Sequence, residues 1–343
     1  MIVKRLKIEG FRNIRSRNLE FHPGKNLIHG RNGAGKTSLI ESMFLAAFGK
    51  SFLNVRLSDM IPRRDTVFDF QLQVDHRRNP RDIHCFSQGR SLTLELDGRR
   101  AQTAEIRDVF YPTFFSSATF MQEIESVSHL RRMMNRFICG VDPLYIRYIL
   151  SYNQALKQKN HLLRLRPHAA EITGWNQVMI EMGTRIVTTR QKFIGELNRE
   201  IRDLGKTEMN VVYLPSVSID AEGGRNAFQD ELHRVREIES RYQRAVVGPH
   251  RDRFDFQRDH IALRYHSSGE KKLYLLLAYI AFIRLFQRVN REYPVFLVDD
   301  YDTAMDQENV QAFMDAYPDM QVIATSVNPN DRFDHQVELT REN

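Results

Sequence analysis

Residues 30–38 read Gly30-Arg31-Asn32-Gly33-Ala34-Gly35-Lys36-Thr37-Ser38, a stretch that is mostly backbone and ends in a lysine and two hydroxyls. The spacing Gly-x-x-x-x-Gly-Lys-Thr is that of a phosphate loop. Its glycines let successive backbone N–H groups converge on an anion, and the following helix points its N-terminus at the same spot. Lys36 is placed to reach the β- and γ-phosphates of a nucleotide, and the Thr37 hydroxyl to ligate the Mg²⁺ that bridges them. The flanks agree. Asn26 to His29 reads as a short strand end, and Ser38 to Phe48 carries apolar residues at helical spacing, so strand, loop and helix follow in the required order.

A chain of 343 residues has room for about two domains, or for one with an insertion. Its formal net charge of +7 makes a polyanionic partner plausible, with nucleic acid the first candidate. Cys85 and Cys139 are far apart and lack the spacing of a zinc or redox site, which suits two buried thiols in a reducing cytoplasm. The opening MIVKRLKIEGFRNI alternates apolar and charged residues and reads as a strand, not as a signal peptide. The longest apolar run, Leu273 to Ile283, falls short of a bilayer span of roughly 20 residues, so no membrane is expected.

Strands are expected at Ile2–Ile8, Arg17–Phe21, Phe68–Val74, Ile83–Ser87 and Leu92–Leu96. From about Gln122 the pattern becomes helical up to Arg166 and again from Thr173 to Leu204, broken at Arg166-Pro167-His168. Near Gly248-Pro249 it returns to short strands, Arg253–Gln257 and Ile261–Tyr265. The pattern predicts an α/β head in two sequence halves, 1–121 and 247–343, flanking a mostly helical insertion over 122–246.

The second half supplies what a phosphate loop lacks. Val295 to Asp300 is an apolar strand ending in two carboxylates, the form of a Walker B strand. Asp299 is placed to hold Mg²⁺ and Asp300 to orient or deprotonate the attacking water. A further strand follows at Gln321–Thr325. Ser267-Ser268-Gly269-Glu270 opens an apolar helix; as S-x-x-E it is a capping box, yet a helix N-terminus bearing Ser and Gly also suits a γ-phosphate.

Taken in order, Phe11-Arg12-Asn13-Ile14, the phosphate loop, Gly248-Pro249-His250-Arg251-Asp252, Ser267 to Lys272 and Leu297 to Asp306 resemble the RecF family of recombination mediators, whose head is of the SMC and ABC ATPase type. The likeness covers nearly the whole chain. It extends into the insertion, where Arg131-Arg132 and Tyr152 to Leu163 look like that family's helices. The resemblance implies an ABC/SMC-type ATPase head with a helical second lobe and a nucleotide against Arg12, Asn13 and the loop Gly30, Arg31, Asn32, Gly33, Ala34, Gly35, Lys36, Thr37 and Ser38. Ser267 and Gly269 would cap the ATP of a second copy, and Asp306 would lie in the D-loop crossing a homodimer interface. Thr37 and Asp299 would hold Mg²⁺, with Asp300 and Lys36 catalytic. The implied activity is slow ATP hydrolysis by a protein that binds gapped or junction DNA and, with RecO and RecR, helps load RecA in recombinational repair and replication-fork maintenance.

Several positions depart from the family pattern. The signature reads HSSGE, bringing the Glu270 carboxylate towards a triphosphate, with Lys271 and Lys272 to offset it. The Q-loop function is not assigned by the pattern, with Gln122 the candidate. Leu53 stands where an arginine is common, and Ser326 where other cassettes have a switch histidine, which this family too commonly lacks. These departures point to slow turnover and keep a non-hydrolysing, ATP-gated DNA clamp in view. A transporter cassette would share the nucleotide motifs but should lack the FRNI opening and the insertion. An SMC-like tether would need a far longer coiled coil, since each helical residue advances about 1.5 Å.

His250, in a Gly-Pro turn, reads more simply as structural than as an acid or base, and Arg251 is the better placed for an anion. Met133, Met134, Met179 and Met182 read as core. Basic clusters at Arg5, Lys7, Arg12, Arg15 and Arg17, at Arg131, Arg132 and Arg136, and at Lys157, Lys159, Arg164 and Arg166 are candidates for sequence-independent DNA phosphate contacts with strong salt dependence.

Overall fold

The computed structural model describes residues 1–116, 124–165, 170–206, 208–219, 224–304 and 313–340. In chain order the elements begin with β1 (Ile2–Phe11), β2 (Ile14–Glu20), β3 (Lys25–His29), α1 (Lys36–Phe48), β4 (Phe68–His76), β5 (Asn79–Ser87), β6 (Leu92–Leu96), β7 (Arg99–Arg100), α2 (Thr103–Val109) and β8 (Pro112–Ser116). Next come α3 (Val127–Val141), α4 (Tyr145–Leu165), α5 (Glu171–Asp203), β9 (Met209–Leu214), α6 (Gly224–Arg234), α7 (Arg236–Tyr242), β10 (Arg253–Arg258) and β11 (Ile261–Ala262). The chain closes with α8 (Ser268–Asn290), β12 (Val295–Asp299), α9 (Tyr301–Ala304), β13 (Val322–Ser326) and β14 (His335–Glu338). Two compact units result: Met1–Met121 with Ser268–Asn343, and Gln122–Ser267.

In the first unit, five strands form a parallel sheet in the order β14-β3-β13-β12-β8. Every residue of β8, β12 and β13 is buried, as a parallel strand covered on both faces requires. The second sheet, β2-β1-β4-β5-β6-β7, is antiparallel, and its strands alternate: Val3, Leu6, Ile8 and Phe11 of β1 face the core. Phe11 packs edge-on against Phe68 and Phe70 of β4, at ring-centroid distances of 5.1 and 5.8 Å. Helix α1 belongs to the same core, and eleven of its thirteen residues are buried. A helix apolar nearly all round is stable only when enclosed, and each large side chain it buries contributes about 1.5–3 kcal/mol.

Helix α8 is long and apolar enough to meet the length and composition test for a membrane span, yet thirteen of its residues, including most from Tyr274 to Phe286, are buried within the protein. That is the pattern of a core helix.

In the second unit α4 and α5 pack against each other, and β11-β10-β9 form a small antiparallel sheet. The sequence pattern returns the chain to the head at residue 247. Instead β10 pairs along its whole length with β9, from Arg253 opposite Leu214 to Arg258 opposite Met209, and the first unit resumes only at Ser268. The sequence signal of β9 is weak, so its partner strand looks like the start of the next domain. The strand expected to reach Tyr265 stops at Ala262, where a 3₁₀ turn over Leu263–Tyr265 takes over.

Candidate functional site

Parallel pairing brings the carboxyl ends of β3, β13 and β12 to one edge of the sheet: His29 lies opposite Ser326, and Val298 opposite Ala324. Ligands of open α/β sheets bind at such an edge. The phosphate loop leaves β3 there. Gly30 has φ 150°, and a Cβ on it would sit 2.3 Å from the Leu339 carbonyl oxygen, so no other residue fits without moving the chain. Gly33 and Gly35 have φ of 83° and 102°. Helix α1 starts with Gly35 in the left-handed conformation at its N-cap, no side-chain cap and no acid in its first turn. Its first N–H groups are therefore left to the loop, where they are available to an anion.

Lys36 is buried, and its ammonium donates to the carbonyls of Gly30 at 2.7 Å and Arg31 at 3.3 Å. Arg31, Asn32 and Gly33 form the exposed rim, and Ala34, Gly35 and Ser38 are buried. Asn13 braces this loop with both ends of one side chain: its amide nitrogen donates to Gly33 O at 2.7 Å, and its amide oxygen accepts from Ser38 Oγ at 2.8 Å.

Thr37 Oγ1 donates to Asp299 Oδ1 at 3.1 Å, and Thr325 Oγ1 donates to the same oxygen at 2.8 Å. The backbone N–H of Asp300 in turn donates to Thr325 Oγ1 at 2.9 Å, with Asp300 in the left-handed region at φ 55°. Burial raises the Asp299 pKa to about 6; the hydrogen bonds from Thr325 and Thr37 oppose the shift, and the charge of Asp300 adds to it. A buried carboxylate beside a hydroxyl suits a hard cation. Mg²⁺ takes oxygen ligands, keeps several waters and needs few protein groups when substrate phosphates complete its shell. Among the described residues no cluster of three or more His, Cys, Asp or Glu offers an all-protein cage.

The sequence places Arg12 against the nucleotide. In the structure its guanidinium makes a two-pronged pair with Glu41 of α1, at 2.8 Å on each arm. Glu41 is buried and also accepts from Ser51 Oγ, and Ser51 Oγ accepts from the N–H of Leu53 at 2.9 Å. The charge of Arg12 is thus answered inside the protein. The sequence pattern does not single out Glu41, Ser51 or Thr325 as site residues. The signal for Glu41 was a lone carboxylate in the apolar run LIESMFLAAF; Thr325 gave none beyond standing at a strand end.

Ser267 and Gly269 are exposed at the N-terminal end of α8, and a Cβ on Gly269 would meet nothing within 4 Å. Asp306 and Gln122 lie outside the described residues. Ser326 Oγ lies 2.6 Å from Asp302 Oδ2, which also accepts from the N–H of Val327 at 2.9 Å. Cys85 is buried, which pushes its thiol pKa up, Cys139 is half-buried, and neither forms a disulfide. Met133, Met134 and Met179 are fully buried.

The basic clusters change most. Lys159 is buried and ion-paired with Glu239 at 2.6 Å, so it is no phosphate contact. Lys7 pairs with Glu9 at 3.1 Å, Arg5 donates to Asn18 at 2.6 Å, and Arg17 donates to Thr340 O at 2.8 Å. Lys157 and Arg164 remain exposed, and Arg166 lies outside the described residues.

A parallel sheet with a phosphate loop and a Walker B carboxylate at one edge, an antiparallel sheet beside it and a separate helical unit define an ATPase head of the ABC/SMC type. The chain belongs to the RecF/RecN/SMC N terminal domain family, whose model matches residues 2–337. It is 27% identical over 358 residues to the DNA replication and repair protein RecF of Lachnoclostridium phytofermentans, covering 99% of this chain and 97% of that one. To RecF of Streptococcus suis it is 28% identical over 318 residues, covering 89% and 87%. Among solved structures, the recombination mediator protein RecF-ATP in the RecFOR pathway superposes with a TM-score of 0.89 at 23% identity, covering 96% and 93%. An Smc head bound to the C-winged helix domain of ScpA gives 0.56 at 14% identity, covering 98% and 94%. At these identities the structural likeness is one of fold.

Proposed function

We propose that this protein is an ATP-dependent DNA-binding protein of the RecF type that acts in recombinational repair and replication-fork maintenance. It binds gapped or junction DNA without reading base sequence and dimerises when ATP is bound. The observation that carries this reading is the convergence of Lys36, Thr37, Asp299 and Thr325 at one sheet edge. RecF relatives match nearly the full chain, and one solved RecF is described with ATP in the RecFOR pathway. By that likeness RecO and RecR are partners, RecA is loaded with their help, and the cytoplasm is the site of action.

In this reading Lys36 and the open N–H groups of α1 bind the phosphates, and Asn13 keeps the loop in shape for them. Thr37 and Asp299 hold Mg²⁺, which when bound neutralises charge on the β- and γ-phosphates. Asp300 orients the attacking water and takes its proton. The contribution of the protein is positioning and charge stabilisation, and the DNA is not chemically altered. The exposed Ser267 and Gly269 at the start of α8 offer their helix terminus to the triphosphate bound by a second copy.

Sedimentation with ATP, with ADP and without nucleotide tests the proposal. ATP-specific dimers are expected for the unaltered protein and not for Lys36→Met or Ser267→Arg. Dimers that ignore nucleotide, or that survive both substitutions, would overturn it. Turnover measured with and without DNA separates a slow ATPase from a clamp that binds ATP without hydrolysing it.

A further inference from the structure

In the second unit, the turn Gly248-Pro249-His250-Arg251-Asp252 is fixed from every side. Gly248 has φ 122°, and a Cβ there would lie 2.2 Å from the Tyr152 hydroxyl. The Gly248 N–H donates to Ser216 Oγ at 2.7 Å, and Arg251 N–H closes the turn onto Gly248 O at 2.7 Å. The His250 ring is neutral, because burial lowers its pKa to about 4. Its Nδ1 therefore accepts from the Tyr152 hydroxyl at 2.8 Å, while Nε2 donates to Ala245 O at 3.3 Å.

Asp252 is fully buried and takes donors from Arg190 at 2.6 Å, from the Ser216 N–H at 2.8 Å and from the Tyr213 hydroxyl. Arg190, 1% exposed, also donates to Pro249 O at 2.9 Å, Tyr145 Oη at 2.9 Å and Asn135 Oδ1 at 3.1 Å. Removing an arginine–aspartate pair from water costs desolvation that an apolar pair avoids, so what such a network contributes is a fixed geometry.

The side chain that this geometry presents is Arg251. It is exposed, and among the described residues no hydrogen bond or ion pair engages its guanidinium. The carboxylate of its neighbour Asp252 is engaged by Arg190, Tyr213 and the Ser216 N–H. Arg131, half-buried, donates to the Asp252 carbonyl at 3.0 Å. The local field is positive: burial first, then the charges of Arg190, Arg251 and Arg132, lower the Arg131 pKa, with Asp252 only partly offsetting them.

We propose that Arg251, held out on this rigid turn with Arg131 behind it, is a contact for a backbone phosphate of DNA. A planar guanidinium takes a phosphate through two parallel hydrogen bonds, and a contact to the phosphate backbone positions the nucleic acid without reading bases. The site rests on the DNA-binding reading above and gives it a residue. It adds an anion contact to the second unit, where the charge of Lys159 is spent internally.

Binding of a gapped duplex by the full chain, measured across a salt series, tests the assignment. For Arg251→Ala the slope of log affinity against log salt should become shallower by about 0.9, the release of one counterion. Arg251→Lys should keep the slope, and ATP affinity should not change in either variant. An unchanged slope for Arg251→Ala overturns the assignment while leaving the DNA-binding reading intact. Loss of ATP affinity with unchanged DNA binding also overturns it, assigning the phosphate to a nucleotide. Absence of salt-sensitive DNA binding by the unaltered protein sinks both.

Discussion

Thr37 and Asp299, 262 residues apart in the chain, meet at 3.1 Å at the edge of the parallel sheet. The contact joins the first turn of α1 to the end of β12, and Thr325 locks the same oxygen from β13. Because the hydroxyl and the carboxylate oxygen form one donor set, neither can be removed without affecting the other.

Thr37→Ala should therefore leave nucleotide binding measurable in EDTA while weakening its enhancement by Mg²⁺ about 10-fold or more. Titration of a fluorescent ATP analogue with and without the metal checks this. Equal Mg²⁺ enhancement in both proteins would mean that Thr37 only packs.

The Arg12–Glu41 pair predicts a strong coupling. Glu41 is 1% exposed on its side chain and Arg12 is 21% exposed. Removing one partner strands a buried charge, so Arg12→Ala should cost about 3–5 kcal/mol. The double variant with Glu41→Leu should cost clearly less than the two single variants added together. Urea denaturation of the four proteins gives the coupling, and additive losses would contradict the pair.

Gly30 and Gly33 should differ sharply in tolerance. A methyl on Gly30 meets the Leu339 carbonyl, whereas one on Gly33 meets nothing within 4 Å and carries only the backbone cost of φ 83°. Gly33→Ala should lose about 1 kcal/mol in stability. Gly30→Ala should displace the loop and abolish ATP binding in a protein that still folds, as judged by circular dichroism.

His250 predicts a loss of stability in acid. Its folded pKa is about 4 against an ordinary value of 6.5, so the folded state binds fewer protons than the unfolded chain between these limits. The stabilisation is complete above about pH 6.5 and falls away as pH drops towards 4, by about 3 kcal/mol in all. Denaturation midpoints at neutral and mildly acidic pH should converge in His250→Gln, which cannot titrate there. A parallel pH dependence in both proteins would place the acid sensitivity elsewhere.

The strands that alternate were easily read. Leu92–Leu96 begins and ends where the pattern puts it, and Val295–Asp299 follows from its apolar run. The phosphate loop was legible because its backbone demands particular residues at fixed spacing. Strands β9 and β14 were not, since Met209–Leu214 and His335–Glu338 are short and only partly buried, and their pairing is decided by distant strands. The same limit hid the partners of charge. In sequence Arg12 and Lys159 look like free cations, and only the fold brings Glu41 and Glu239 to them.

The interleaving of the parallel sheet has a consequence for how the protein is made. Strands β3 and β8 emerge early from the ribosome but are not neighbours; β12, β13 and β14, which flank them, lie far downstream, between Val295 and Glu338. Until those strands have been made, the lysine and threonine of the loop have no sheet edge to stand on, whereas every strand of the β9–β11 sheet is already complete by Ala262. Contacts so distant in sequence assemble slowly. Competence to hold a nucleotide thus reports that translation has passed residue 338, and a nonsense mutation just after residue 267 should leave no partial activity behind.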